Sequence, residues 1–507
     1  MLRLTGALAG MAAAAQFTPA PATAAPRYSD NPFTLGVASG EPLPDGVVLW
    51  TRLAPVPLAE DGLGGMPPSD VAVRWEVAED PGMRRVVRRG SAAAKRDFAH
   101  SVHVEVTGLR PGREYWYRFR SGGELSAVGR TKTAPPAGSL TPMTLAFATC
   151  QSWSDGFYTA YRHLADQDLD LVAHLGDYIY EYPVSRNSGP RGTDLSAAHN
   201  AETLTLDQYR LRYALYRTDP DLQAAHAAAP WIATVDDHDV EDNWAGETSF
   251  SGASPEDLLR RRAAAFRAYY EHLPLRASAL PQGPDMRLHR TLDYGRLARF
   301  HVLDARQFRD PIDITRRDDP ARSMLGAAQE RWLLDGLADS GATWNVLTQQ
   351  VLMMQLDRLT DPGLQQLNGD AWDGYTATRA RLLDGIAERR VANPVVLTGD
   401  MHVNMAGTVT RDFADPSSPA VAPEFVTTSI TSGGNGADSS PQAEEWLAAN
   451  PHLAFYNGQR GYVRCTVSPG EWRADYLVVD RVSVPDGSVS TRRSFVVEAG
   501  RPDLQEA

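Results

Sequence analysis

The sequence predicts an α/β unit preceded by a smaller all-β domain, and three observations carry that expectation. From Asn31 to about Pro136 apolar residues recur with period two, the pattern of half-buried strands. The stretch Thr131-Lys132-Thr133-Ala134-Pro135-Pro136-Ala137-Gly138 is stiff and polar, as a domain boundary should be. Beyond it, short apolar strands alternate with helical stretches, which is an α/β arrangement. The domains are therefore set at 31–136 and 140–500.

Each element follows in chain order. Residues 1–25 read as an export signal: Arg3 precedes an apolar stretch from Leu4 to Phe17, and Ala22-Thr23-Ala24-Ala25 before Pro26 supplies a small-residue cleavage site. About 14 apolar residues fall short of the roughly 20 needed to span a bilayer, which favours cleavage over an anchor. The single basic residue ahead of that stretch leaves a twin-arginine route with a truncated start open. The protein is expected to be secreted or in the cell envelope, without a transmembrane segment. In Val71-Ala72-Val73-Arg74-Trp75-Glu76-Val77 one face is apolar, and Val102, Val104 and Val106 stand opposite His103 and Glu105. Gly108 to Phe119 is a Pro-Gly turn entering an aromatic strand, and it resembles the late strands of fibronectin type III sandwiches. In the second domain a helix is predicted from Pro255 through His272, opened by Ser254 with Asp257 in its first turn. Strands recur around Gly461–Val467, Trp472–Val479 and Thr491–Val497, so a second sheet is expected.

Composition narrows the function. Lys plus Arg is 50 against Asp plus Glu 63, a formal charge of −13, so no nucleic-acid-binding surface is expected. An acidic protein that handles anions must gather positive charge locally, and bound metal cations do so without adding basic residues. Two cysteines, Cys150 and Cys465, are too few for a disulfide scaffold.

Four apolar strands end abruptly in metal-type donors: Thr144 to Cys150, Leu169 to Tyr180, Trp231 to Asp239 and Pro394 to His402. Ligands in open α/β sheets sit outside the carboxyl ends of strands, so four such ends can converge. Singly, Gly-Asp is often only a turn, Asp-Asp-His-Asp a solvated loop, His402 a core histidine, and Cys150 an inert thiol or half of a disulfide with Cys465. Together, carboxylate, imidazole, thiol and phenol at four strand ends are hard to explain as turns.

Those segments resemble the PhoD-like alkaline phosphatases of the calcineurin-like metallophosphoesterase superfamily. The marks are Cys150-Gln151-Ser152-Trp153, His174-Leu175-Gly176-Asp177-Tyr178-Ile179-Tyr180-Glu181-Tyr182, Ala228-Ala229-Pro230-Trp231, Asp236-Asp237-His238-Asp239-Val240 and Leu397-Thr398-Gly399-Asp400-Met401-His402. The resemblance implies a four-layer αββα metallophosphoesterase sandwich behind a fibronectin-III-like domain, and a phosphatase or phosphodiesterase using Fe3+ and Ca2+; a monomer is expected. It places Asp177, Tyr180 and His402 on iron, with Cys150 where related enzymes carry Asp. It makes Asp237 and Asp400 ligands of the second metal, Asp236 and Asn200 less direct candidates, and His238 the group that contacts phosphate and protonates the leaving oxygen. Thiolate and phenolate suit ferric iron, whereas carboxylates suit calcium. Arg306 and Arg309 are candidates for a substrate clamp, against an equally good reading as structural salt bridges. Two rivals stand beside this reading: a phospholipase D-like hydrolase of lipid phosphodiesters, and a non-catalytic, metal-stabilised surface-binding protein.

Overall fold

The computed structural model describes residues 28–507 apart from 29, 185–188, 193, 362 and 416, so the expected export signal lies outside the described residues. The N-terminal part holds β1 (Val37–Leu43), β2 (Gly46–Arg52), β3 (Val71–Ala78), β4 (Val86–Ala94), β5 (Ser101–Thr107), β6 (Glu114–Ser121), β7 (Glu124–Leu125) and β8 (Gly129–Lys132). The predicted alternation is present: Val71, Val73 and Val77 of β3, and Val102, Val104 and Val106 of β5, are buried. They form one core with Val47, Leu49, Tyr115, Tyr117 and Phe119, closing a sandwich between β1-β2-β5 and β4-β3-β6-β7, with β8 on β6.

The larger part begins with the parallel strands β9 (Met143–Ala148), β10 (Leu171–His174) and β11 (Pro230–Ala233). A second set follows: β12 (Arg290–Tyr294), β13 (Ala298–Val302), β14 (Trp344–Thr348), β15 (Pro394–Thr398), β16 (Asn404–Thr410), β17 (Ala420–Val426) and β18 (Leu453–Asn457). The chain then returns through β19 (Gly461–Val467), β20 (Glu471–Val479), β21 (Val489–Glu498) and β22 (Gln505–Glu506). The first sheet runs β22-β21-β20-β19-β9-β10-β11-β1-β2-β5 and the second β12-β13-β14-β15-β17-β16-β18. Leu145, Phe147, Ile232, Val346, Leu397 and Phe425 fill the space between them. Helices α1 (Thr159–Ala165), α2 (Leu206–Arg217), α3 (Pro220–Ala228) and α4 (Pro255–His272) cover the outer face of the first sheet, and α5 (Gly326–Ala338) and α6 (Thr376–Glu388) that of the second. This is the four-layer αββα order. α4 has the predicted bounds, with the Ser254 side chain accepting from Asp257 N.

One layer of the N-terminal sandwich is continuous with the first large sheet, because β1 pairs in parallel with β11. The join demands glycine at Gly40, where an added Cβ would stand 2.4 Å from Pro274 O and 2.8 Å from Trp231 O. No helix of the described residues is long and apolar enough to cross a membrane.

Candidate metal centre

The four donor-bearing strand ends meet where the two sheets come together. β9, β10 and β11 are neighbours in the first sheet and β15 lies in the second, and a parallel bridge between Thr149 and Ser429 draws the sheets' ends together. The chain turns sharply there. Cys150, Asp177, Asp400 and His402 all hold φ between 54° and 63°, the left-handed region that costs a side-chain-bearing residue energy. Strain at four donors in four-strand convergence marks a site over-determined by its surroundings. Gly176 brings two of these loops into close approach, since a Cβ there would meet Asp236 Cβ at 2.3 Å.

Asp177 is the hub. Its Oδ2 accepts from Cys150 Sγ at 3.3 Å and from Tyr180 Oη at 3.1 Å, and Tyr180 Oη lies 3.0 Å from His402 Nε2. Its Oδ1 accepts from the His238 backbone N at 3.2 Å. Three donor groups result, Cys150-Asp177-His402, Asp177-Asp237-His238 and Asp236-Asp237-Asp400, each with its ligand atoms within 4.8 Å of one another. Asp177 joins the first to the second, and Asp237 the second to the third. Seven of the eight sequence-predicted ligands, Tyr180 included, are thus brought together.

The buried donors repel one another when ionised. Burial first, then neighbouring carboxylates, push Asp177, Asp236 and Asp400 well above the usual carboxylate range. Burial and the Asp177 charge push the Cys150 thiol and the Tyr180 phenol up as well. Burial opposes ionisation of Asp237 too, but Arg306 and His238 outweigh it and hold that carboxyl below its ordinary value. His402 is lowered to about 4 by burial and by Arg460, so its imidazole is neutral, the form that binds a metal. Asp236 Oδ2 is buried without a hydrogen-bond partner. A thiol, a phenol, an imidazole and a carboxylate on one side, and carboxylates with an orphaned oxygen on the other, fit two cations of different hardness.

His238 stands at the edge of this array. Its Nδ1 lies 2.9 Å from Glu181 Oε2, its ring stacks on Tyr180 with centroids 4.3 Å apart, and Tyr182 meets it edge-on at 5.1 Å. Glu181 is itself fixed, its Oε1 accepting from Asp242 N at 2.8 Å. Burial disfavours protonation of His238, yet Asp237, Asp177 and Glu181 together raise it well above its ordinary value.

Two expectations need correction, and one alternative falls. Arg306 is fully buried, and its guanidinium pairs with Asp236 at 2.5 Å, Asp370 at 2.9 Å, Asp237 at 3.2 Å and Asp400 at 3.4 Å. It is the counter-ion of the carboxylates and presents nothing to a substrate; Arg309 likewise pairs with Asp370 at 2.6 Å. Asn200 is exposed at the end of the turn Ala197–His199 and is not drawn into the buried cluster. Cys150 and Cys465 are both free and buried, so the disulfide alternative falls.

Sequence reasoning missed the residues that hold the ligands. Asp239 accepts backbone N–H groups from Asp177, Tyr178, Ile179 and Asp236, tying the β10 and β11 loops together. Asp370 anchors Arg306. Asp239 and Glu181 lay in plain view inside two of the motifs; Asp370 sits in a loop with no signal of its own.

The PhoD-like phosphatase family matches residues 145–476, and its N-terminal domain matches residues 18–135. Alkaline phosphatase D of Bacillus subtilis (strain 168) is 50% identical over 494 residues, covering 95% of this chain and 84% of that protein. A solved structure of PhoD superposes with a TM-score of 0.91 at 50% identity, covering 95% of this chain and 93% of the other. The purple acid phosphatase PPD1 from yellow lupin seeds superposes with a TM-score of 0.54 at 15% identity, covering 91% of this chain and 73% of that one, which shows the shared metallophosphoesterase fold.

Proposed function

The chain belongs to the PhoD-like phosphatase family and is a phosphoric ester hydrolase, and from that premise we propose that it is an exported phosphatase or phosphodiesterase that works with ferric iron and calcium. The observation that carries this reading is the run of three donor groups joined through Asp177 and Asp237, with an imidazole at its edge. Cys150, Asp177, Tyr180 and His402 would hold iron, because thiolate, phenolate and imidazole are electron-rich donors. Asp237, Asp400 and Asp236 would hold calcium, with hard oxygens only. The chemistry these cations supply when bound is Lewis-acid neutralisation of charge on the phosphoryl oxygens.

The chain's own residues do the rest. Arg306 holds Asp236, Asp237 and Asp400 in one orientation. Glu181 keeps the proton of His238 on Nδ1 and the Tyr180 ring fixes the imidazole plane; Nε2, 4.0 Å from Asp242 Oδ1, is the nitrogen assigned to the substrate. The carboxylates of Asp237 and Asp177 favour the protonated imidazole. As a water oxygen bonds to phosphorus and the P–O bond to the leaving group breaks, a proton passes from Nε2 to the departing oxygen while the water's proton is released to solvent, a general-acid contribution of about 10²- to 10⁴-fold.

Metal-loaded protein assayed on a nitrophenyl phosphate, an alkyl phosphate and a dinitrophenyl phosphodiester tests the reading. Turnover of at least one ester is expected, and none on any would overturn it. Export rests on the apolar stretch Leu4 to Phe17 and the small residues before Pro26. A reporter fused behind residues 1–26 should leave the cytoplasm; retention inside would contradict it.

A further inference from the structure

The outer face of the β4-β3-β6 sheet takes no part in the chemistry described above, yet it carries charge of the opposite sign to the whole. Strands β3, β4 and β6 place Arg74, Arg89, Arg118 and Arg120 on this face against Glu76 and Glu114, in a chain with 50 basic against 63 acidic. The inward positions of β3 and β6 are apolar, so alternation sends Arg74, Glu76, Arg118 and Arg120 outward. Register then gathers them. Arg74 stands directly opposite Arg120 on one side and Ser91 on the other, and Glu76 stands between Arg118 and Arg89.

Glu76 is matched to Arg118, their charged atoms 2.8 Å apart. Arg74, Arg89 and Arg120 are exposed and enter none of the ion pairs among the described residues. Like charges directly opposite across two strands repel, so the pair Arg74 and Arg120 weakens its own sheet unless an anion lies between them. A hollow of about 190 Å³ lined by Arg74, Glu76, Arg118, Phe119 and Arg120 opens at that point. Planar guanidinium forks match phosphate oxygens two at a time, which a lysine patch would not.

We propose that this arginine face is an accessory docking surface for a linear polymer of phosphodiesters, which it holds while the metal centre works on the same chain. The proposal rests on the hydrolase reading above, since that reading makes the polymer a substrate as well as a ligand. A small ester gains nothing from such a surface, whereas a polymer is retained between cleavages.

The probe is end-labelled poly(ethylene phosphate), bound to metal-loaded protein carrying His238→Ala so that it is not consumed. Adding Arg74→Gln, Arg89→Gln and Arg120→Gln should weaken binding at least about tenfold and flatten the salt dependence by about two units of log–log slope, near 0.7 per lost phosphate contact. Arg331→Gln, Arg389→Gln and Arg390→Gln, an equal charge change on exposed positions of the second domain, should leave both unchanged. With His238 restored, the face variant should raise KM for the polymer and leave kcat/KM for nitrophenyl phosphate untouched. Equal effects of the two triple variants, or tighter binding to phosphatidylglycerol vesicles than to the polymer, would overturn the proposal. Absence of any nitrophenyl phosphate hydrolysis would instead strike the hydrolase reading, so the two failures are distinguishable.

Discussion

Replacing Asp239 by Ala removes the carboxylate that ties two ligand-bearing loops to each other. Oδ2 accepts from Asp177 N and Asp236 N, each at 3.0 Å, and Oδ1 accepts from Tyr178 N at 3.1 Å and Ile179 N at 3.4 Å. All four donors are buried, and a stranded buried donor costs about 1–3 kcal/mol. Three of the bonds are of ordinary length; with water recovering part of the loss, the loops should open more easily by about 3 kcal/mol. That is roughly a hundredfold in the opening equilibrium. Amide hydrogen exchange, followed peptide by peptide, reads it where it occurs: residues 177–179 and 236 should exchange about 100-fold faster, while the core of the N-terminal sandwich does not change. Asp239→Asn keeps one acceptor oxygen and should fall between. Bound metal should also drop, because Asp177 is held at φ 54° by this network. Unchanged protection at those amides, with full metal content, would show that Asp239 does not hold these loops.

Other outcomes follow from the same geometry. His238→Ala should keep iron and calcium near wild type while kcat falls by roughly 10²- to 10⁴-fold, less for a nitrophenolate leaving group than for an alkoxide; metal lost in proportion to activity would make His238 a ligand. Glu181→Gln keeps an acceptor for Nδ1 but not the charge, so kcat should fall about tenfold or more with metals retained, and unchanged kcat would remove Glu181 from the account. A calcium-selective chelator should abolish activity and added Ca2+ restore it; full activity with calcium absent by elemental analysis would contradict the assignment of Asp237 and Asp400. In metal-free protein, Asp239 is raised to about 7 by burial, and Asp177, Asp236 and Asp400 are raised as well. The folded state then keeps protons that the unfolded chain has released, so stability should fall as pH rises from about 4 to 8, on the order of 4 kcal/mol from Asp239 alone. Metal loading should flatten that fall in the urea midpoint, and a metal-free midpoint that rises with pH would contradict the sign.

Much of this was legible in the sequence because it is local. Strand ends such as Leu171–His174 followed by Gly176-Asp177 announce both their element and their donor within ten residues. Helix α4 was readable to its bounds because Ser254, Pro255 and the acidic first turn are all written at its start. What stayed hidden depends on distant partners. Nothing near Gly40 says that β1 pairs with β11, some 190 residues on, and so extends the large sheet. Arg306 beside Phe308 and Arg309 looks like an anion clamp until folding surrounds it with Asp236, Asp237, Asp370 and Asp400. The left-handed backbone at Cys150 is equally silent, since unlike Asp or Asn a cysteine gives no hint of positive φ.

The proposed centre is a ferric site built on Tyr180 and Cys150 beside a calcium site built on carboxylates. An absorption spectrum taken together with elemental analysis tests it most directly. The purified protein should contain iron and calcium, show a tyrosinate-to-iron charge-transfer band that disappears in Tyr180→Phe, and lose iron with the fold retained in Cys150→Ala. Active protein carrying zinc in place of iron, or a band that survives Tyr180→Phe, would contradict it.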